Sequence, residues 1–258
     1  MQNNMQRNQS FEMPREQTFN NDFSAPADLF AIAAAADERA GFIMKTYLYV
    51  LGAIAAFITI ETFLFTIVGL GNLMAMTAAT LGNGGMSWLI VLGAFMVVSW
   101  IASAWASSDT SPVMQHIGLG IYVVANSIIF VPLLCLAQLQ GGSGTILSAA
   151  MATAGLFAAL TLAVFITRKD FSFLHSTVIF GGFAAMGFIV TSIVFGLNTL
   201  GPIFAYVMIA FMCVCILYHT SNVLHHYRIG QHVAAALALF ASVMTLFWYV
   251  LQIFLSRE

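Results

Sequence analysis

The chain has 258 residues, of which 60% are hydrophobic and only 7% charged. Soluble domains carry about 25% charged residues, so a soluble fold is excluded and an all-α membrane protein of several spans is expected. The formal net charge of -2 excludes a nucleic-acid partner and leaves the lipid bilayer as the first partner implied.

The N-terminal residues, Met1 to about Pro26, are rich in Asn, Gln and charge. They hold no apolar stretch of the kind a cleavable signal needs, and a disordered tail is expected. Asp28–Ala40 is Ala-rich. It reads either as a short interface helix, with Leu29, Phe30 and Ile32 at the membrane surface, or as a frayed extension of the first span. Residues 1–40 are therefore read as a disordered or partly helical cytoplasmic tail, and 41–258 as a seven-helix transmembrane domain.

A helix needs roughly 20 apolar residues to cross about 30 Å of hydrocarbon. Seven runs qualify: Phe42–Val68, Trp88–Ala106, Ile117–Leu136, Ile146–Thr167, Thr177–Leu197, Ile203–Tyr218 and Val233–Leu255. They are long and continuous, unlike the short alternating strands of a barrel. Pro132 lacks a backbone donor and predicts a kink in the third run. Gly181, Gly182 and Gly187 permit close helix approach in the fifth. Trp88, Trp100, Trp105 and Trp248 fall toward run ends and read as interfacial anchors. Cys135, Cys213 and Cys215 all lie within runs and read as small buried residues, not a disulfide framework.

Charge sets the orientation. Arg39 and Lys45 flank the first run, Arg168 and Lys169 follow the fourth, and Arg228 follows the sixth. Loops Gly69–Ser87, Ala137–Thr145 and Asn198–Pro202 hold no Lys or Arg. The positive-inside rule then places the N-terminus in the cytoplasm, in a bacterium at the inner (cell) membrane. Seven spans place the C-terminus outside, against the single charge of Arg257. A re-entrant last run would return it inside.

Ionisable groups inside a membrane are functional candidates by default. Lys45 can snorkel to the surface. Glu61, in the outer third of the first run, either reaches the outer headgroups or faces the interior as a proton- or cation-binding group. His219 lies seven residues before His226, roughly 10 Å deeper along a helix. It reads either as a titrating group or as a hydrogen-bonded packing histidine. Asn222 and His226 follow it at helical spacing as polar support. His225, His226 and His232 cluster at a turn with no Cys or carboxylate accompanying them, so no metal site is expected, and no cofactor. Gly141-Gly142-Ser143-Gly144 matches the short string of rhomboid intramembrane proteases. Ser143 falls at the outer edge of the fourth run, whereas His219 lies roughly 25 Å below the outer edge of the sixth. A serine–histidine pair must come within hydrogen-bond reach, so neither a catalytic residue nor an enzyme is expected.

Two blocks of residues resemble the Bax inhibitor-1/YccA family of seven-helix membrane proteins. The first is Thr153-Ala154, Phe157, Leu160-Thr161, Phe165 and Thr167-Arg168-Lys169-Asp170-Phe171-Ser172. The second is Leu217–Tyr227. The likeness extends over about Arg39 to Arg257. It implies six helices surrounding a central last helix, here Val233–Leu255. It also implies a pH-sensitive latch of two aspartates on the last two helices, linked to calcium or proton leak. This chain departs at both positions, with His219 and Ser242 standing in their place. A His219–Ser242 contact is expected to survive, and protonation would turn the imidazole into a donor only. The expected function is a pH-responsive proton or calcium leak or transport protein, with Glu61 as an accessory acid. The alternative is a non-transporting stress regulator or interaction protein, partnered with or degraded by a membrane AAA protease or another membrane protein.

Overall fold

A computed structural model describes residues 30–257 apart from 33, 82–84, 109–110 and 198–200. The tail expected over 1–26 lies outside the described residues. Among the described residues eight α-helices follow one another: α1 Ala36–Phe63, α2 Leu70–Leu81, α3 Gly85–Ala106, α4 Pro112–Gln140, α5 Gly142–Thr167, α6 His175–Val194, α7 Pro202–His225 and α8 His232–Leu255. A π-helical turn, Leu64–Val68, extends α1, and a 3-10 turn, Ser172–Leu174, leads into α6. Seven of the helical segments are long and apolar enough to cross a membrane. Most run past the expected spans, because a helix continues beyond the hydrocarbon as far as its backbone bonds are satisfied. Pro112 and Pro202 open α4 and α7 at their first positions, where no donor is needed. Pro132 lies inside α4, which continues on both sides of it.

α8 is the centre. α1, α3, α4, α5 and α7 pack directly on it. α6 packs against α3 and α7 and closes the ring, facing α8 across a cavity. α8 is 24 residues long, about 36 Å, long and apolar enough to cross a membrane. Its buried residues point in every direction and include Val233, Ala236, Leu239, Phe240, Leu246 and Leu251. Lipid offers no hydrophobic gain for helix association, so close packing must supply it. α3 and α4 meet at such a contact. A Cβ on Gly118 would stand 2.6 Å from the Ala102 carbonyl oxygen and 2.7 Å from the Ala106 nitrogen. Of the three glycines expected to permit close approach in α6, Gly181 alone does so, against the Phe211 ring; Gly182 and Gly187 face open space.

Two expectations need correction. Trp88 and Trp248 turn inward. Their rings stack 6.5 Å apart, and Trp248 meets Phe130 edge-on at 5.0 Å. Aromatic packing inside the ring outcompetes the interfacial role. The stretch before α1 is not helical from residue 30. The Ala31 N–H donates to the Tyr227 carbonyl (2.9 Å), and Phe30 bridges Arg228 in antiparallel fashion. Backbone pairing with the α7–α8 turn thus replaces the first helical turns, and the Arg228 guanidinium lies 5.8 Å from the Phe30 ring centre.

Candidate functional site

His219 stands six residues before the end of α7, on the side that faces α8 and α3. It lines a cavity of about 480 Å³. α3 contributes Ser99 and Ser103, four apart and so on one face, and Ser107 follows just past its end; α4 contributes Tyr122; α8 contributes Ser242 and Thr245; Tyr227 comes from the α7–α8 turn. His219 and Ser242 therefore share one space, as the resemblance implied. They are not hydrogen-bonded. The Ser242 hydroxyl donates to the Ala238 carbonyl of its own helix at 3.0 Å, and Thr245 does the same to Ala241 at 2.9 Å. Short hydroxyls on a helix satisfy themselves this way, which leaves their lone pairs facing outward as acceptors. His219 Nδ1 and the Ser99 hydroxyl are buried with no hydrogen-bond partner among the described residues. Buried polar groups are ordinarily paired. These two are held on the wall of a space large enough to supply partners.

The polar support expected of Asn222 and His226 is not part of this cavity. α7 ends at His225, so His226 leaves the helical face. The Asn222 carbonyl accepts the His226 and Tyr227 N–H groups at 2.9 and 3.0 Å and closes the helix. His226 Nε2 lies 3.2 Å from both carboxylate oxygens of Asp170, in the α5–α6 turn. The same carboxylate accepts the Ser172 N–H at 2.9 Å, and the Phe171 N–H donates to the Ser221 hydroxyl at 2.9 Å. Burial is the largest single influence on Asp170 and pushes its pKa up. The Ser172 and His226 hydrogen bonds together outweigh it and hold the carboxyl below its usual range. A carboxylate does accompany this histidine cluster, then, across 56 residues of sequence. Nearby, His175 Nδ1 and the Tyr218 hydroxyl are 2.7 Å apart. These bonds tie the C-terminal ends of α5 and α7 together. Ser143, in the first turn of α5, is thus at the opposite end of the bundle from His219, and no serine–histidine pair forms.

With this geometry in hand, comparison with known proteins is direct. The family model described as inhibitor of apoptosis-promoting Bax1 matches residues 39–258. The chain belongs to the Bax inhibitor-1 family. An uncharacterised protein of Pseudomonas aeruginosa, PA2604, is 31% identical over 160 residues, which cover 62% of this chain and 68% of that one. This Bax inhibitor-1 protein is an integral membrane protein.

Glu61 does not join the His219 cavity. It continues the buried stripe of α1, after Phe42, Thr46, Val50, Ala53 and Phe57. Of its two expected placements the interior one holds, for the residue is only 7% exposed. It lines a second cavity of about 580 Å³, whose α8 wall is Val243, Met244 and Phe247. At 100° per residue, that is roughly the opposite face of α8 from Ser242 and Thr245. Sequence reasoning missed both the serine stripe of α3 and the Asp170–His226 pair. The stripe was visible as a spacing of four; the pair had no local signal.

Proposed function

We propose that this Bax inhibitor-1 protein is a pH-responsive proton leak or transport protein, with His219 as its titrating group. The observation behind the reading is that a buried, unpartnered imidazole nitrogen shares a hydroxyl-lined cavity with Ser242, at the two positions where the family resemblance places its latch. Among the described residues, the other titratable groups on that wall are Tyr122, Cys215 and Tyr227. Such groups ordinarily keep their protons at neutral pH, so the imidazole is the one whose charge changes. Neutral, it offers one donor and one acceptor; protonated, it offers two donors. Ser242 and Thr245, whose hydroxyl protons are already committed, supply acceptors for the charged form. Ser103, one helical turn along α3 from Ser99 at about 6 Å, and Ser107, just past the end of that helix, continue the polar wall. Calcium is the weaker candidate, because hard divalent cations need several oxygen ligands with carboxylates among them, and among the described residues no Asp or Glu is on this wall. With Arg168, Lys169 and Arg228 facing the cytoplasm, the cavity lies nearer that side. Proton flux into liposomes, compared between wild type and His219→Ala, tests this reading. A flux that ignores pH, or survives the substitution unchanged, sinks it.

A second reading rests on the N-terminal pin. Phe30 and Ala31 are held to Tyr227 and Arg228, and Tyr227 also lines the His219 cavity. A membrane protease or other membrane partner that engages the tail would therefore pull on the turn beside the cavity. Deleting residues 2–25 then changes partners or turnover; unchanged partners and turnover count against it.

A further inference from the structure

The second cavity is built for a different ligand. Both carboxylate oxygens of Glu61 are buried, and neither has a hydrogen-bond partner among the described residues. A charge in such a place is expensive unless something pairs with it. Among the described residues, no Lys, Arg or His lines the cavity, and the Cys135 thiol is close enough to feel the Glu61 charge. The volume of about 580 Å³ falls within the range of sites for drug-sized molecules.

We propose that this cavity binds a lipophilic organic cation, an ammonium or phosphonium group on an apolar body, with Glu61 as its counter-ion. Three ligand classes compete, and the walls separate them. A bare metal ion needs six or more oxygens in a tight shell. Here one carboxylate stands on a wall whose other polar side chains are Thr62, Thr66, Thr153 and Gln138; the Thr62 and Thr153 hydroxyl protons are committed to their own helices at 2.7 and 2.8 Å, and most of the space is bounded by carbon. A lipid tail or neutral apolar molecule would fill the volume and leave the carboxylate unpaired. An organic cation satisfies both halves of the site. Its charge meets Glu61, while its body meets the rings of Phe57, Phe65 and Phe247, whose faces attract cations.

The entrance supports the same class. Ile58, Thr62 and Ala154 are on the cavity wall and also exposed on the outside of the bundle. That surface faces lipid, so the ligand arrives sideways from the bilayer, where amphipathic cations concentrate. The π-helical turn begins three residues after Glu61 and ends at Gly69, where φ is +81°. Such turns recur at functional sites because the extra residue re-aims side chains, and here the turn supplies Phe65 to the wall. The site lies across α8 from His219 and does not depend on the proton reading.

Equilibrium dialysis of radiolabelled tetraphenylphosphonium against the full-length protein in lipid nanodiscs, with empty nanodiscs subtracted, tests this. Saturable binding of one ion per chain is expected. It should weaken by about thirtyfold or more in Glu61→Gln, since one partner of a buried charge pair is lost. Ala154→Phe, which keeps the acid and blocks the entrance, should weaken it as well and stands in if Glu61→Gln fails to fold. Tetraphenylborate, with the same shape and the opposite charge, dialysed separately because the two ions pair in solution, should not bind saturably. Tetraphenylphosphonium binding that is absent or unchanged in both variants, or saturable tetraphenylborate binding of equal strength, overturns the proposal. So does calcium or sodium binding that depends on Glu61 while tetraphenylphosphonium fails to saturate.

Discussion

On one flank of α8, His219 sits among serine and threonine hydroxyls; on the other, Glu61 sits among phenylalanines. His219 Nδ1 and both Glu61 carboxylate oxygens are buried in the bundle with no hydrogen-bond partner among the described residues. The surroundings decide what each can do. A hydroxyl-lined wall supplies small, reorientable dipoles that support a charge wherever it appears, which suits a proton. A wall that is mostly carbon, with Thr62, Thr66, Thr153 and Gln138 as its polar groups, supplies proportionally fewer, so a charge there is best met by a ligand that brings apolar surface with it. The comparison shows why a buried acid is not automatically an ion pathway. The groups around it set the class of ion.

The contrast depends first on α8 staying intact between the two cavities. Phe240 is fully buried on α8 and meets the Tyr122 ring edge-on at 6.1 Å. Phe240→Ala should cost about 3 kcal/mol or more, read as a lower unfolding temperature in detergent; an unchanged temperature would mean that α8 is not the packing centre. The next effect concerns the wall that holds the serines. Gly118→Val would drive a side chain into α3 backbone 2.6 Å away. It should cost about 1–3 kcal/mol and reduce proton flux by moving Ser99 and Ser103 away from His219. Flux that persists unaltered would separate the serine wall from function. Ser99→Ala sharpens the contrast further. It removes an unpartnered hydroxyl, so flux should fall severalfold with little change in unfolding temperature.

The smallest effect lies outside both cavities. Asp170 is held below its usual pKa by the Ser172 and His226 bonds, against the upward push of burial. A depressed folded-state pKa means the contribution is present above the unfolded carboxylate value and is lost as pH falls through the folded one. The loss should begin below about pH 4. Asp170 and His226 are each about half exposed, with 46% of the side chain accessible, so solvent screening keeps the effect below about 1 kcal/mol. An unfolding curve of Asp170→Asn that parallels wild type below that pH would show that the pair contributes nothing.

The ring of spans was legible because long apolar runs have few other fates. α2 was not, since its 12 residues fall short of a span and the stretch read as a loop. The shared cavity of His219 and Ser242 was approached through the family resemblance and through depth along two helices. The missing bond between them was not, because each hydroxyl's choice of its own backbone is a local matter that spacing does not reveal. Glu61 shows the deeper obstacle. It is in register with Phe42, Val50 and Phe57, yet in a bilayer the lipid-facing side of a helix is as apolar as the buried side. The pattern that marks the interior of a soluble protein is therefore erased. Trp88 and Trp248 were misread for the same reason.

The most direct test of the central claim is proton flux into liposomes holding the purified protein, across about pH 4 to 8, where histidines titrate. Wild type, His219→Ala and the double variant His219→Asp/Ser242→Asp would be run side by side, with calcium followed in parallel. The account predicts a wild-type proton flux that switches within this range, is lost in His219→Ala, and gains a calcium component in the double variant. A wild-type protein that is silent, or that passes protons equally at every pH and without His219, would contradict it.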